Sequence, residues 1–137
     1  MAQFLGCWKL DRNSYTNLDE FCKVSGFPDD MTDKFRNMEC TIELKKDGDM
    51  WSYEIKSTIM PDKVIKFKSG EEVVTDFMGK DVKFTITFES DSKLKQVEAS
   101  ALNNWKPMTI TREVKGDVMH CTNEIDGVQM TLQLTRC

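Results

Sequence analysis

The sequence predicts an all-β protein: a β-barrel of about ten antiparallel strands with a two-helix insert. Three observations predict it. Apolar and polar residues alternate with period two through most of the chain, turn-forming pairs punctuate those runs, and one segment (16–38) changes to helical spacing. Successive strand side chains point to opposite faces, so period two marks strands with one buried face.

Taken in order, Gly6, Trp8 and Leu10 alternate with Cys7, Lys9 and Asp11 in a first strand. Within TNLDEFCKVSGFPDDMTDKFRNM (16–38), Leu18, Phe21, Cys22 and Ser25 share one helix face, with Thr16 or Asn17 as cap and Gly26 as stop. Pro28 suits the first turn of a second helix, Asp29 and Asp30 favour its N-terminus, and Met31, Phe35 and Met38 fall on one side. Strands resume at Ile42 and Leu44, then Trp51, Tyr53 and Ile55, then Ile65 and Phe67, then Val82, Phe84, Ile86 and Phe88. The last alternating run is Val128, Met130, Leu132 and Leu134. Asp47-Gly48 is a strong hairpin signal, and further turns are expected at Ser69-Gly70, Met78-Gly79, Asp91-Ser92, Lys115-Gly116 and Asp126-Gly127.

One strand breaks its own pattern. In PMTITREV (107–114) Met108, Ile110, Arg112 and Val114 share a face, which puts an arginine among apolar residues. A buried guanidinium needs an anionic or hydrogen-bonding partner, so Arg112 is the first candidate binding residue.

Composition narrows the classes. A chain of 137 residues predicts one domain, 1–137, with a real core. A net charge of −4 with mixed signs argues against a nucleic-acid partner. No apolar run approaches the roughly 20 residues of a membrane-spanning helix. The start, MAQFLGCWKL, lacks a basic n-region and is interrupted by Lys9, so no signal peptide is expected. Five scattered cysteines, none in CxxC spacing, point to neither a disulfide framework nor a zinc site, and so to a reduced, cytoplasmic protein without metal or cofactor. No GxSxG elbow, HExxH motif or phosphate-binding glycine loop is present, and the neighbours His120 and Cys121 would point to opposite faces of a strand. No catalytic residues are therefore assigned.

Six segments in register resemble the intracellular lipid-binding proteins, the fatty acid-binding and cellular retinoid-binding family. They are FLGCWKL (4–10), NLDEFCKVSGF (17–27), KKDGDMW (45–51), KSTI (56–59), KFKSGEEV (66–73) and TITREV (109–114), the second displaced by an insertion around Ser14. The resemblance implies a ten-stranded antiparallel up-and-down clamshell barrel, capped by a helix-turn-helix lid over about 16–38. It also implies a wet cavity for one fatty acid, retinoid or similar lipid. Family members often grip a carboxylate with an arginine at the place of Arg112 plus an Arg-x-Tyr pair on the last strand. Here Leu132 and Leu134 stand at that pair's positions, which leaves Arg112 as the single charged anchor.

Three partners are open to Arg112: a ligand anion, Glu98, or waters and neutral groups such as His120. The resemblance turns Leu94, Gln96 and Glu98 inward, whereas Val97 and Ala99 make an equally good inner face by pattern. It likewise turns Val118, His120 and Thr122 inward. Met130, Leu132, Leu134 and Tyr53 are expected to line the cavity, and Met31, Phe35, Ile59 and Phe77 to form a portal. The expected function is a monomeric, non-enzymatic carrier that takes a long-chain fatty acid or similar small hydrophobic ligand through the cytosol. The alternative is a carrier of a retinoid or neutral lipid, with Arg112 neutralised internally. Asp29, Asp30 and Asp33 disfavour collision with anionic membranes, so membrane contact is expected to be transient at most.

Overall fold

The structure, a computed structural model, describes residues 2–137. A 3-10 turn at Ala2–Phe4 leads into strand β1 (Gly6–Thr16) and helices α1 (Leu18–Ser25) and α2 (Met31–Asn37). Nine strands follow: β2 (Cys40–Asp47), β3 (Met50–Ser57), β4 (Met60–Phe67), β5 (Glu72–Phe77), β6 (Lys80–Phe88), β7 (Lys93–Ser100), β8 (Met108–Lys115), β9 (Val118–Ile125) and β10 (Val128–Arg136). They form one antiparallel sheet in the order β4-β3-β2-β1-β10-β9-β8-β7-β6-β5. All sequence neighbours pair except β4 and β5, β1 closes onto β10, and β4 and β5 face each other as the unpaired edges of a nearly closed barrel. Lys63 reaches across that seam, its Nζ 2.7 Å from Asp76 Oδ1.

The hairpin turns set the register. At the β9–β10 turn Asp126 and Gly127 both have positive φ (51° and 78°), the geometry a two-residue hairpin needs to match strand twist. That pairs Ile125 with Val128, and therefore Cys121 with Leu132. In β1 the ladder to β10 jumps between Asp11–Gln133 and Thr16–Thr131, a bulge at the place of the insertion. Ser14 holds it, its hydroxyl donating to the Asp11 carbonyl (2.6 Å) and accepting from the Gln133 amide (2.8 Å).

Helix α1 buries Leu18, Phe21, Cys22 and Ser25, the face its spacing predicts. Gly26 ends it at φ 80°. Asn17 does not cap through its side chain, which donates instead to the Gln129 carbonyl at 2.9 Å. The last carbonyls of α1 are satisfied from the barrel: Lys106 Nζ donates to Val24 O (2.5 Å) and Asn103 Nδ2 to Ser25 O (2.9 Å). Lys106 also pairs with Asp126 at 2.6 Å, so a cation sits at the negative end of the helix. Helix α2 is tied to β1 by the Tyr15 hydroxyl, which donates to Phe35 O at 3.0 Å; burial pushes this phenol up to about 12.

The core has two parts. The larger cluster gathers Phe4, Trp8, Ile42, Leu44, Trp51, Phe67, Met119 and Leu134 and extends along the wall to Leu94, Cys121, Ile86 and Phe84. The smaller lies under the helices, where Leu18, Phe21 and Cys22 meet Ile125 and Met130.

The expectation that no disulfide forms is corrected. Cys7 and Cys137 are bonded, with Cα atoms 5.3 Å apart. The cause is topological: β1 pairs with β10, Trp8 opposes Arg136, and the Cys137 amide donates to Cys7 O at 3.1 Å. Residues 130 apart in sequence become cross-strand neighbours, which spacing motifs cannot reveal. Cys22, Cys40 and Cys121 are free thiols.

Candidate functional site

Cross-strand pairing stacks the inner wall in rows. Val114, Met119, Leu134 and Leu10 form one row, at the packed end. Above it lie Phe88, Leu94, Arg112, Cys121 and Leu132. The next row towards the helices is Ile86, Gln96, Ile110, Asn123 and Met130, followed by Phe84, Glu98 and Met108. The parity of β8 thus turns Arg112 inward with Ile110 and Val114, as its sequence pattern predicts.

Arg112 has one protein hydrogen bond among the described residues, from Nη1 to Cys121 Sγ at 3.4 Å. No nitrogen of Arg112 is among the buried polar atoms left without a partner, so its other donors keep accessible surface. The residue is half-buried by area yet lies deep in the protein, which is the condition of a side chain bordering an internal space. Tyr53 is in the same situation, facing inward opposite Leu44 and Ile65.

Burial opposes the charge on Arg112, the neighbouring Cys121, Tyr53 and Glu98 favour it when they are ionised, and its pKa is raised. The guanidinium is charged at any physiological pH. Burial pushes Tyr53 and the Cys121 thiol up, so both are neutral partners there. Glu98 is also raised by burial, an effect moderated by its bond from Gln96 and by Arg112. Glu98 and Arg112 feel each other's charge but share no hydrogen bond or ion pair. Glu98 Oε1 instead accepts from Gln96 Nε2 at 2.7 Å. Glu98 therefore acts on Arg112 through its charge and not through a direct contact.

Other expected site residues separate. Leu94, Gln96 and Glu98 face inward, while Val97 is 47 % exposed on the outer face. His120 is a correction: it lies opposite Glu113 and Gln133 on the outer face, its Nδ1 3.5 Å from Gln133 Nε2. The two-residue turn decides this, because pairing Ile125 with Val128 puts Met119, Cys121 and Asn123 on the inner face of β9. Leu132 borders both core clusters. Met130 is buried under α1, and Leu134, although inward, is packed into the closed end at 4 % exposure; it is core rather than cavity lining.

Of the expected portal residues, Met31 is a second correction. It opens α2 but is 1 % exposed, so it plugs the underside of the lid. Phe35 packs edge-on against Phe27 and joins the cluster beneath the helices. Ile59, in the β3–β4 turn, and Phe77, at the end of β5, are half-buried at their strand ends. The sequence reading missed Cys121 and Asn123 as inner residues. The signal was present: counting back from the Asp126-Gly127 turn places both opposite the apolar face of β10.

A family model described as the lipocalin / cytosolic fatty-acid binding protein family matches residues 2–131. A fatty acid-binding protein type 2 of Fasciola hepatica is 32 % identical over 130 residues, covering 94 % of each chain. A fatty acid-binding protein of Tyrophagus putrescentiae is 34 % identical over 129 residues, with 93 % of each chain covered. Among solved structures, a Schistosoma mansoni fatty acid binding protein in complex with arachidonic acid superposes with a TM-score of 0.87 at 28 % identity, covering 100 % of this chain and 98 % of that one. The match along nearly the whole chain, with the same barrel and lid, means that the chain belongs to the lipocalin / cytosolic fatty-acid binding protein family.

Proposed function

We propose that the protein is a carrier of a long-chain fatty acid, whose carboxylate is held inside the barrel by Arg112. The observation that carries this reading is an enclosed guanidinium whose one protein partner among the described residues is a thiol and whose other donors face the internal space. A carboxylate supplies two acceptor oxygens in the fork geometry of guanidinium, and a charge-assisted pair gains strength in an enclosed site. A largely apolar lining with a few placed polar groups, Arg112 among them, is the chemistry of binding and release. The fatty acid-binding names of the relatives and the arachidonic acid of the Schistosoma mansoni complex support the same ligand class. The protein works as a monomer, with Ile59 and Phe77 at the mouth and transient membrane contact during delivery.

The test is titration of the delipidated protein with a long-chain fatty acid and the matched fatty alcohol. The acid binds tighter than the alcohol, and Arg112→Ala removes about 1–3 kcal/mol of that preference. Equal binding of acid and alcohol by the wild type would overturn the reading.

The working compartment we assign is the cytosol. A second reading, an oxidising compartment, is favoured by Cys7–Cys137, since such bonds are rare where glutathione keeps thiols reduced. Acid-quenched alkylation of the protein in its native tissue separates them: five alkylated cysteines support the cytosol, three support the oxidising compartment.

A further inference from the structure

The rows between Arg112 and the helices are not uniformly apolar. Among Ile86, Ile110, Met130, Phe84 and Met108, the inner wall carries two amides and a carboxylate: Gln96, Asn123 and Glu98. Gln96 and Glu98 satisfy each other once, at 2.7 Å. That bond uses one of the two amide donors of Gln96 and one of the roughly four acceptor sites of a carboxylate. The side chain of Asn123 makes no protein hydrogen bond among the described residues and is half-buried. None of its polar atoms, nor those of Gln96 and Glu98, is sealed off without a partner, so their remaining groups open onto the internal space.

Saturated hydrocarbon is a poor match for this belt. It would displace water from three polar groups and return no hydrogen bond. A second anion is repelled by Glu98 when that group is ionised. A hydroxyl fits both halves of the belt, because it donates to the Glu98 carboxylate and accepts from an Asn123 or Gln96 amide N–H.

The geometry points to a second polar subsite, formed by Gln96, Glu98 and Asn123, that takes a hydroxyl borne partway along the tail of the acid anchored by Arg112. The ligand class is then a mid-chain hydroxylated long-chain acid, in preference to the plain acid. This rests on the reading of Arg112 as the carboxylate anchor. Successive inner rows are about 7 Å apart along a strand, so the amides lie one row and Glu98 two rows beyond the arginine, roughly 7–14 Å along the tail. Burial pushes the Glu98 carboxyl up, which further suits a neutral hydroxyl neighbour to a charged one.

The experiment compares hexadecanoic acid with a mid-chain and a terminal hydroxyhexadecanoic acid, by calorimetry on the delipidated wild type. The mid-chain isomer binds roughly fivefold tighter than the plain acid, the effect of one net hydrogen bond, and the terminal isomer shows no gain. In Glu98→Leu that preference is lost and the plain acid binds tighter. Glu98→Gln, which keeps an acceptor beside Gln96, retains a preference and guards against a folding defect in the leucine variant. A mid-chain isomer that binds no better than hexadecanoic acid, while hexadecanoic acid still depends on Arg112, overturns the subsite and leaves the carrier reading standing. Failure of all three acids to bind overturns both.

Discussion

The closed end of the barrel and the belt beneath the helices belong to one sheet, yet they solve opposite problems. At the closed end space is filled. Trp8 and Phe4 are 0 % exposed and Trp51 is 1 %. Trp51 stacks on Phe88 with ring centroids 4.6 Å apart, and Phe88 meets Phe4 edge-on at 5.6 Å. The one polar atom of Trp8 is satisfied locally, Nε1 donating to Phe4 O at 2.9 Å. Arg136 lies over the Trp8 ring at 4.2 Å and donates to Gln3 O and Leu5 O, so its charge stays at the rim. In the belt the polar groups keep surface and donors to spare. Arg112 and Arg136 thus differ in what surrounds them: one is fully engaged by the chain, the other has a thiol. The rings of the closed end fill space, while the groups proposed to bind lie beyond them.

That division can be broken most strongly at Trp8. Trp8→Ala leaves a large void in a packed cluster and orphans the Phe4 carbonyl, so the expected loss is about 3–5 kcal/mol of unfolding free energy. Fatty-acid affinity of the folded fraction stays within a factor of a few. Urea unfolding gives the first quantity and calorimetry at low temperature the second. An affinity loss as large as the stability loss would show that the two ends are one unit.

Opening Cys7–Cys137 acts on the same end through the unfolded chain. The bond closes nearly the entire sequence into a loop, and Cys137→Ser should cost about 2–4 kcal/mol. The urea midpoint falls for the variant, and reductant lowers the wild type to the same value. Identical midpoints with and without reductant, in a sample shown by mass to be oxidised, would mean that the backbone ladder alone holds the terminus. The belt sits apart from this strap, so acid binding is expected to be unchanged.

Arg112 is the reverse case. A buried charge without a directly paired anion costs desolvation, so Arg112→Leu should leave stability unchanged or raise it by about 1 kcal/mol while acid affinity falls by about 1.5–3 kcal/mol, roughly 10- to 150-fold. A variant that loses both would mean that Arg112 is held by the protein after all.

How legible this was in the sequence differs between the two regions in the same way. Packing at the closed end follows from period two: Trp8, Ile42, Leu44, Trp51, Phe67 and Leu134 alternate with polar neighbours, and burial is what alternation reports. So do the buried face of α1 and the turns at Asp47-Gly48 and Asp126-Gly127. The belt was legible only in part. Arg112 announced itself by breaking a pattern, but for β9 the family resemblance pointed to His120 where the local alternation, Met119 and Cys121, was right. For β7 the resemblance was right about Glu98 and the pattern was ambiguous. Inner polar residues weaken the very alternation that identifies the inner face, so register has to come from the hairpin turns. The disulfide lay beyond local pattern altogether, because it depends on β1 and β10 being neighbours.

The finest probe of the belt is the titration of Glu98, whose folded-state pKa is raised by burial and only partly relieved by Gln96 and Arg112. The unfolded chain releases this proton near the ordinary glutamate value, about 4.3, while the folded chain keeps it to higher pH. Between those two values folding takes up a proton, so the wild type loses stability as pH rises through the folded-state value. Glu98→Gln keeps an acceptor for Gln96 but cannot ionise. Its stability relative to wild type should therefore climb as pH is raised from below 4 towards neutrality, then level off once Glu98 is ionised in both states. Tyr53 and Cys121, the other titratable groups of the belt, are pushed up by burial and stay neutral across this window. Urea midpoints of the two proteins, measured in parallel across that range, give the difference directly. A flat difference would mean that Glu98 ionises as it does in the unfolded chain, and the belt would then be a well-hydrated channel rather than an enclosed subsite.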